Sequence, residues 1–276
     1  LVPISTEQRK SRGLCRDRRT STIGFGGGTR SAWLEYSIYL PRSFLKPGGE
    51  HKAYPVVLGV THSGTSYDGT CARALTEQCI ATIWSLLDYW EHTPDVEDTH
   101  RLADSLLRNT WNYGNPNLDD WRDKILKIDP DRVYCTGWSM VAMTSLWLMA
   151  KHPQTFAARL IIAGRQRPDD VATLAKQRVL ITTGAEDDKA TSWNERCVPV
   201  WDAAGGTVRR PAKHLDPASI FPVDRQKTLT EQVDSYLARG ANITFLTFED
   251  VDHMGSACKF FHIDAARNWL LKQSGA

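Results

Sequence analysis

No run of about 18 apolar residues occurs anywhere in the 276-residue chain, which excludes a membrane-spanning helix. Nor does one sign of charge dominate: 34 Lys and Arg stand against 32 Asp and Glu, a net charge of +2, so no strong global field points to nucleic acid. The six cysteines (Cys15, Cys71, Cys79, Cys135, Cys197 and Cys258) form neither a C-x-x-C pair nor a Cys/His zinc spacing, while their even count permits disulfides. The triple glycine Gly26-Gly27-Gly28 lacks a following Gly-Lys-Ser/Thr and opens no helix, so it reads as a flexible turn and not as a phosphate loop. There is no internal repeat and no linker that divides the chain. The first residue is Leu1, with no apolar signal region after it. The expectation is a mature or trimmed form that is secreted or periplasmic, and otherwise cytoplasmic.

What is present is ordinary globular material. Hydrophobic residues make up 41% and charged residues 24%, which rules out a disordered, collagenous or disulfide-dense miniprotein. The length suits a single α/β domain, expected here over residues 1–276, with a core large enough to stand without metals or cross-links. Residues 1–30 read as a basic, poorly structured arm. Its Arg16, Arg18 and Arg19 have no interleaved aromatics, so they form a solvated face and not a nucleic-acid patch. Strands are expected at 33–40, 55–60, 132–136, 158–163, 179–183 and 243–248, where short β-branched apolar runs stop at Gly, Pro or polar turns. Helices are expected at about 72–87, 121–127, 140–151, 227–239 and 263–272, with Asp129-Pro130-Asp131 as a turn. Residues 70–127 show no convincing strand. From residue 130 onward strands alternate with helices, which predicts a mostly parallel sheet covered by helices on both faces.

Three polar features fall at the ends of predicted strands. In Gly137-Trp138-Ser139-Met140-Val141, a serine sits on a strand-to-helix corner, where its hydroxyl is pushed out of the sheet and toward free backbone N–H groups of the helix. In Gly184-Ala185-Glu186-Asp187-Asp188, a carboxylate follows a strand and can orient a histidine. In Asp250-Val251-Asp252-His253-Met254-Gly255, a histidine follows the last strand, where it can serve as general base. Each residue alone is commonplace: a turn serine, a helix-capping acid, a loop histidine. Together they run Ser139, Asp187, His253, the chain order used by α/β-hydrolases.

On these residues the chain resembles the α/β-hydrolase superfamily, and within it the polyhydroxybutyrate-depolymerase-like esterases often labelled as peptidases. The resemblance runs from about residue 33 to the C-terminus and is weakest over 70–127. It rests on Asp129-Pro130-Asp131-Arg132-Val133-Tyr134 leading into Gly-Trp-Ser-Met, on Asp187-Asp188-Lys189-Ala190, on Gly240-Ala241-Asn242-Ile243 and on His253-Met254-Gly255, with Trp269-Leu270 in the final helix. It implies Ser139 as nucleophile, His253 as base and Asp187 as orienting acid, with Asp188 as the fallback. It also implies an oxyanion hole made by the Met140 N–H and by Ser63 or Gly64, and a place for Trp138 lining the substrate pocket or packing against the core. Two positions depart from the family pattern. Val141 stands where the family has glycine, and His62-Ser63-Gly64 replaces His-Gly-Gly or His-Gly-Ser-Gly.

The resemblance implies a serine carboxylesterase that forms an acyl-enzyme, takes hydroxyalkanoate-type polyester oligomers or aryl and feruloyl-type esters, and needs neither metal nor organic cofactor. Its partner is the ester substrate, with no nucleic acid and no membrane span. Two rivals stand beside this reading. One is a serine peptidase or amidase using the same three residues. The other is a weakly active or non-catalytic binding protein, kept in view by Val141 and the altered His62-Ser63-Gly64 loop.

Overall fold

In the computed structural model, which describes residues 14–25, 28–39, 43, 46–61, 80–85, 127–165, 171–216 and 226–275, the chain divides into two compact units, Leu1–Pro130 and Asp131–Ala276. The first contains β1 (Leu14–Phe25), β2 (Gly28–Tyr39), β3 (Ala53–Thr61) and β4 (Ile80–Ser85), in the spatial order β1-β2-β4-β3. β1 and β2 pair antiparallel from Leu14↔Tyr39 to Phe25↔Gly28, and β4 lies antiparallel to β2 and parallel to β3.

Two expectations are corrected here. Residues 14–25, assigned to an unstructured arm, form a twelve-residue strand. Their arginines masked the β-forming run Thr20-Ser21-Thr22-Ile23, and along all twelve residues β1 has a partner in β2 whose ladder holds a polar strand extended. The helix expected over 72–87 is replaced, where described, by β4. Leu75, Cys79, Ile80, Ile83 and Leu87 mimic helical spacing, but Ile80-Ala81-Thr82-Ile83-Trp84 is rich in β-branched and aromatic residues, and these prefer the pleated surface. Of the helix expected at about 121–127, residues 121–126 lie outside the described residues, as do Gly26 and Gly27, and Lys127 is in a strand and not a helix.

The second unit holds all but the first four residues of β5 (Lys127–Trp138), which pairs with the next strand through residues 134–138, then β6 (Ala158–Ile162), β7 (Val179–Gly184), β8 (Val208–Arg209) and β9 (Ile243–Phe248). Their order is β5-β6-β7-β9-β8, and every pairing is parallel. The expected turn at Asp129-Pro130-Asp131 is part of β5. All residues of β6 and β7 are buried. Because successive side chains point to opposite faces, unbroken burial means that both faces are covered, and this is why these strands read as continuous apolar runs. Besides the buried Thr182 and Thr183, one charged residue, Arg159, lies in these strands. Its guanidinium lies 5.1 Å over the Phe156 ring, and burial pulls it down to about 9. Its register neighbour Cys135 is a free thiol that burial pushes up to about 11.

Among the described residues of this unit, five α-helices accompany these strands: α1 (Met140–Lys151), α2 (Asp188–Ala203), α3 (Gln226–Leu237), α4 (His253–Lys259) and α5 (Asp264–Lys272). The sequence reading placed no helix at α2, because Pro199 interrupts it. Its buried residues Ala190, Asn194, Cys197 and Trp201 nevertheless recur at helical spacing. The Tyr134 hydroxyl lies 2.6 Å from the Gln273 carbonyl and 3.1 Å from that of Leu271, tying the C-terminal end of α5 to β5. The expected α/β class, a mostly parallel sheet with helices, is the class this chain adopts.

Candidate active site

Three strands of the second unit, β5, β7 and β9, end at one edge and each hands over to a polar residue. At the β5–α1 corner Ser139 has φ 57° and ψ −128°, a conformation that disfavours any side chain and costs about 1–3 kcal/mol. The corner is held from both sides: the Ser139 N–H donates to the Ile162 carbonyl of β6 at 2.9 Å, and the Ser139 carbonyl accepts from the Met143 N–H at 3.2 Å. The serine hydroxyl makes no bond to the helix it precedes.

The helix start needs room against β6, and the departure at Val141 raises the question of where that room comes from. Gly164 provides it, since a Cβ there would lie 2.5 Å from the Cβ of buried Ala142. The close approach is therefore made by a glycine beyond β6 and not by one in the helix. The Val141 side chain lies outside the described residues.

At the β7–α2 corner Gly184 is required, because a Cβ there would stand 1.9 Å from the Val251 carbonyl oxygen. That absence of a side chain lets two backbone bonds stitch this loop to the one after β9: Ala185 N–H to the Phe248 carbonyl at 2.8 Å and Glu186 N–H to the Val251 carbonyl at 3.1 Å. Asp187 follows, 5% exposed, and its Oδ1 caps α2 by accepting the Ala190 N–H at 3.1 Å. After β9, Asp252 caps α4 by accepting the Gly255 N–H at 2.6 Å, which makes His253 the first residue of the helix.

These corners converge. His253 Nδ1 lies 2.5 Å from Asp187 Oδ2, and His253 Nε2 lies 2.7 Å from Ser139 Oγ. A carboxylate only accepts, so Nδ1 carries the proton and Nε2 is left as the acceptor for the serine hydroxyl. The imidazole side chain is 40% exposed while the carboxylate is buried at 5%, so the base faces solvent and its orienting partner does not. The arrangement is able to take a proton from the serine and hold the positive charge that results. Asp188 is exposed at the start of α2; Asp187 is the acid that reaches the imidazole.

Of the other expected residues, Met140 opens α1, so its N–H lies among the free donors at the helix start beside the serine. Ser63 and Gly64 lie outside the described residues. Trp138, considered for the substrate pocket, is 8% exposed and turns toward the histidine. Its ring centroid is 5.0 Å from that of His253, and its N–H points at the His253 carbonyl (3.2 Å) and at Ser256 Oγ (3.1 Å). Sequence reading missed Ser256. Only its position three residues after a helical histidine could have marked it, and that spacing is too common to notice.

Neither family models nor curated proteins give a match to this chain. Solved structures do. A thermostable esterase superposes with TM-score 0.56 at 14% identity over 94% of this chain, which spans 63% of that enzyme's length. A dienelactone hydrolase from Anabaena variabilis gives TM-score 0.55 at 14% identity, over 94% of this chain and 99% of that one. The ferulic acid esterase of the anaerobic fungus Anaeromyces mucronatus gives 0.55 at 13% identity, over 95% and 94%. This chain has the α/β-hydrolase fold.

Proposed function

We propose that this protein is a serine carboxylesterase. The observation that carries the reading is the continuous chain Asp187–His253–Ser139, with bonds of 2.5 and 2.7 Å that end on a serine at positive φ. Ser139 Oγ attacks the ester carbonyl carbon as Nε2 takes its proton, and the carbonyl oxygen becomes an oxyanion beside the Met140 N–H. Such a donor contributes a few kcal/mol, about 3, to the transition state. The C–O bond then breaks, the imidazolium returns the proton to the leaving alcohol, and an acyl-Ser139 remains. Water, deprotonated by the same imidazole, attacks the acyl carbon, releases the acid and restores the serine.

Ester and not amide hydrolysis is supported by how the likenesses divide. Among the proteins that this chain matches nearly end to end are the dienelactone hydrolase and the ferulic acid esterase, at 99% and 94% of their lengths. It spans only 37% and 35% of two dipeptidyl peptidases. Among esters, aryl and feruloyl types have this structural support, and hydroxyalkanoate oligomers rest on the sequence resemblance. The test is turnover on matched p-nitrophenyl esters, methyl ferulate, hydroxybutyrate oligomers and p-nitroanilides. The reading predicts ester turnover that vanishes in Ser139→Ala. Anilide turnover that equals or exceeds ester turnover would move the assignment to a peptidase.

A further inference from the structure

The proposed base is held at its ring by Asp187 and by the reacting Ser139, yet it sits on a seven-residue helix and is 40% exposed. A helix this short has little stability of its own. Something other than the helix must fix where its first residue stands. The Ser256 hydroxyl donates to the His253 carbonyl at 2.6 Å, and the Trp138 indole N–H reaches Ser256 Oγ at 3.1 Å and that same carbonyl at 3.2 Å. The polarity is consistent throughout. The indole donates to the hydroxyl and the hydroxyl spends its single proton on the carbonyl, so each group is used in its permitted role. Ser256 is fully buried, where water does not compete for these bonds.

Trp138 immediately precedes the proposed nucleophile, and Ser256 lies one helical turn after the proposed base. Oγ and Nε2 are thus linked twice: once by the bond whose proton moves during reaction, and once by a path through groups that do not react.

We infer that Trp138 and Ser256 form a clasp that positions His253 against Ser139, holding the Nε2–Oγ distance while the proton leaves and returns. Both are positioning residues. The inference rests on the esterase reading above and adds two residues to it. Displacement of the base by a fraction of an ångström weakens proton transfer in the transition state while leaving substrate binding alone. Trp138→Phe keeps an aromatic ring beside the imidazole and removes only the N–H. Ser256→Ala removes the hydroxyl and leaves the indole its second acceptor.

The experiment measures kcat and KM on a p-nitrophenyl ester, normalised to active serine titrated with a fluorophosphonate, for both single variants and the double variant. Ser139→Ala is measured alongside. Each single variant lowers kcat by about 10- to 100-fold with KM unchanged, and the double variant loses more than either single but less than the product of the two, because the Trp138–Ser256 bond is already lost in each single. Where one variant fails to fold, the other carries the kcat–KM comparison, and urea midpoints identify that case. Unchanged kcat in the variant that folds overturns the clasp, as does a rise in KM alone or a double loss equal to the product of the singles. In all of these Ser139→Ala stays inactive and the esterase reading stands. An active Ser139→Ala overturns both.

Discussion

The β5–α1 and β7–α2 corners each join a parallel strand to a helix, the first through Ser139 alone and the second through Ala185, Glu186 and Asp187, and they use the residue before the helix in opposite ways. At the second, Asp187 has a relaxed φ of −92° and spends Oδ1 on the helix cap and Oδ2 on the imidazole. At the first, Ser139 is held at φ 57° and caps nothing. A serine in a relaxed cap conformation would give its oxygen to a helix N–H. The strained backbone aims the hydroxyl away from the helix and leaves it to Nε2. Strain at one corner thus keeps a nucleophile free, while the unstrained corner gives its acid a second, structural task.

The sharpest way to separate the corners is to relieve the strain. Ser139→Gly removes about 10⁶ from kcat on a p-nitrophenyl ester. It also raises urea-unfolding stability by roughly 1 kcal/mol, since glycine accepts positive φ even after its own entropic cost. An active glycine variant, or one less stable than the parent, would break the comparison.

At the acid corner the two tasks come apart. Asp187→Asn keeps an oxygen for the helix cap but no longer holds the imidazole in its working tautomer, so kcat falls by about 10⁴ with stability nearly unchanged. Asp187→Ala loses a similar rate and in addition about 1 kcal/mol of stability. Equal unfolding midpoints for the two variants would show that the cap contributes nothing.

A smaller effect tests how the nucleophile corner finds its room. Gly164→Ala forces a methyl against Ala142 and costs about 1–3 kcal/mol, with a lower kcat as α1 shifts. Ala142→Gly in the same chain recovers the overpacking part of that loss. A double variant whose losses simply add would show that the two positions do not meet.

The corners were legible in the sequence for a physical reason. Ser139, Asp187 and His253 each follow a run of buried β-branched residues, and a polar residue at such a boundary stands out against the strand before it. The helix 140–151 and the strands at 158–162, 179–184 and 243–248 were legible on the same ground, because strands covered on both faces read as unbroken apolar runs. Elsewhere the patterns conflicted. In β4, Ile80 and Ile83 satisfy a helical period and a strand's preference for branched side chains at once, and only pairing with β2 and β3 decides. In β1 the arginines outweighed Thr20, Thr22 and Ile23. α2 was hidden by Pro199, although Ala190, Asn194 and Trp201 carry its buried stripe. Ser256 does not stand out in sequence because the contact that distinguishes it comes from Trp138, 118 residues away.

The central claim is that Ser139, His253 and Asp187 act as one unit, and covalent labelling tests it most directly. Intact-mass and peptide-mass measurements after exposure to a fluorophosphonate should show one adduct per chain, on Ser139, formed far more slowly in His253→Ala and in Asp187→Asn. An unlabelled Ser139 in a chain that still hydrolyses esters, or equal labelling rates in all three proteins, would contradict the account.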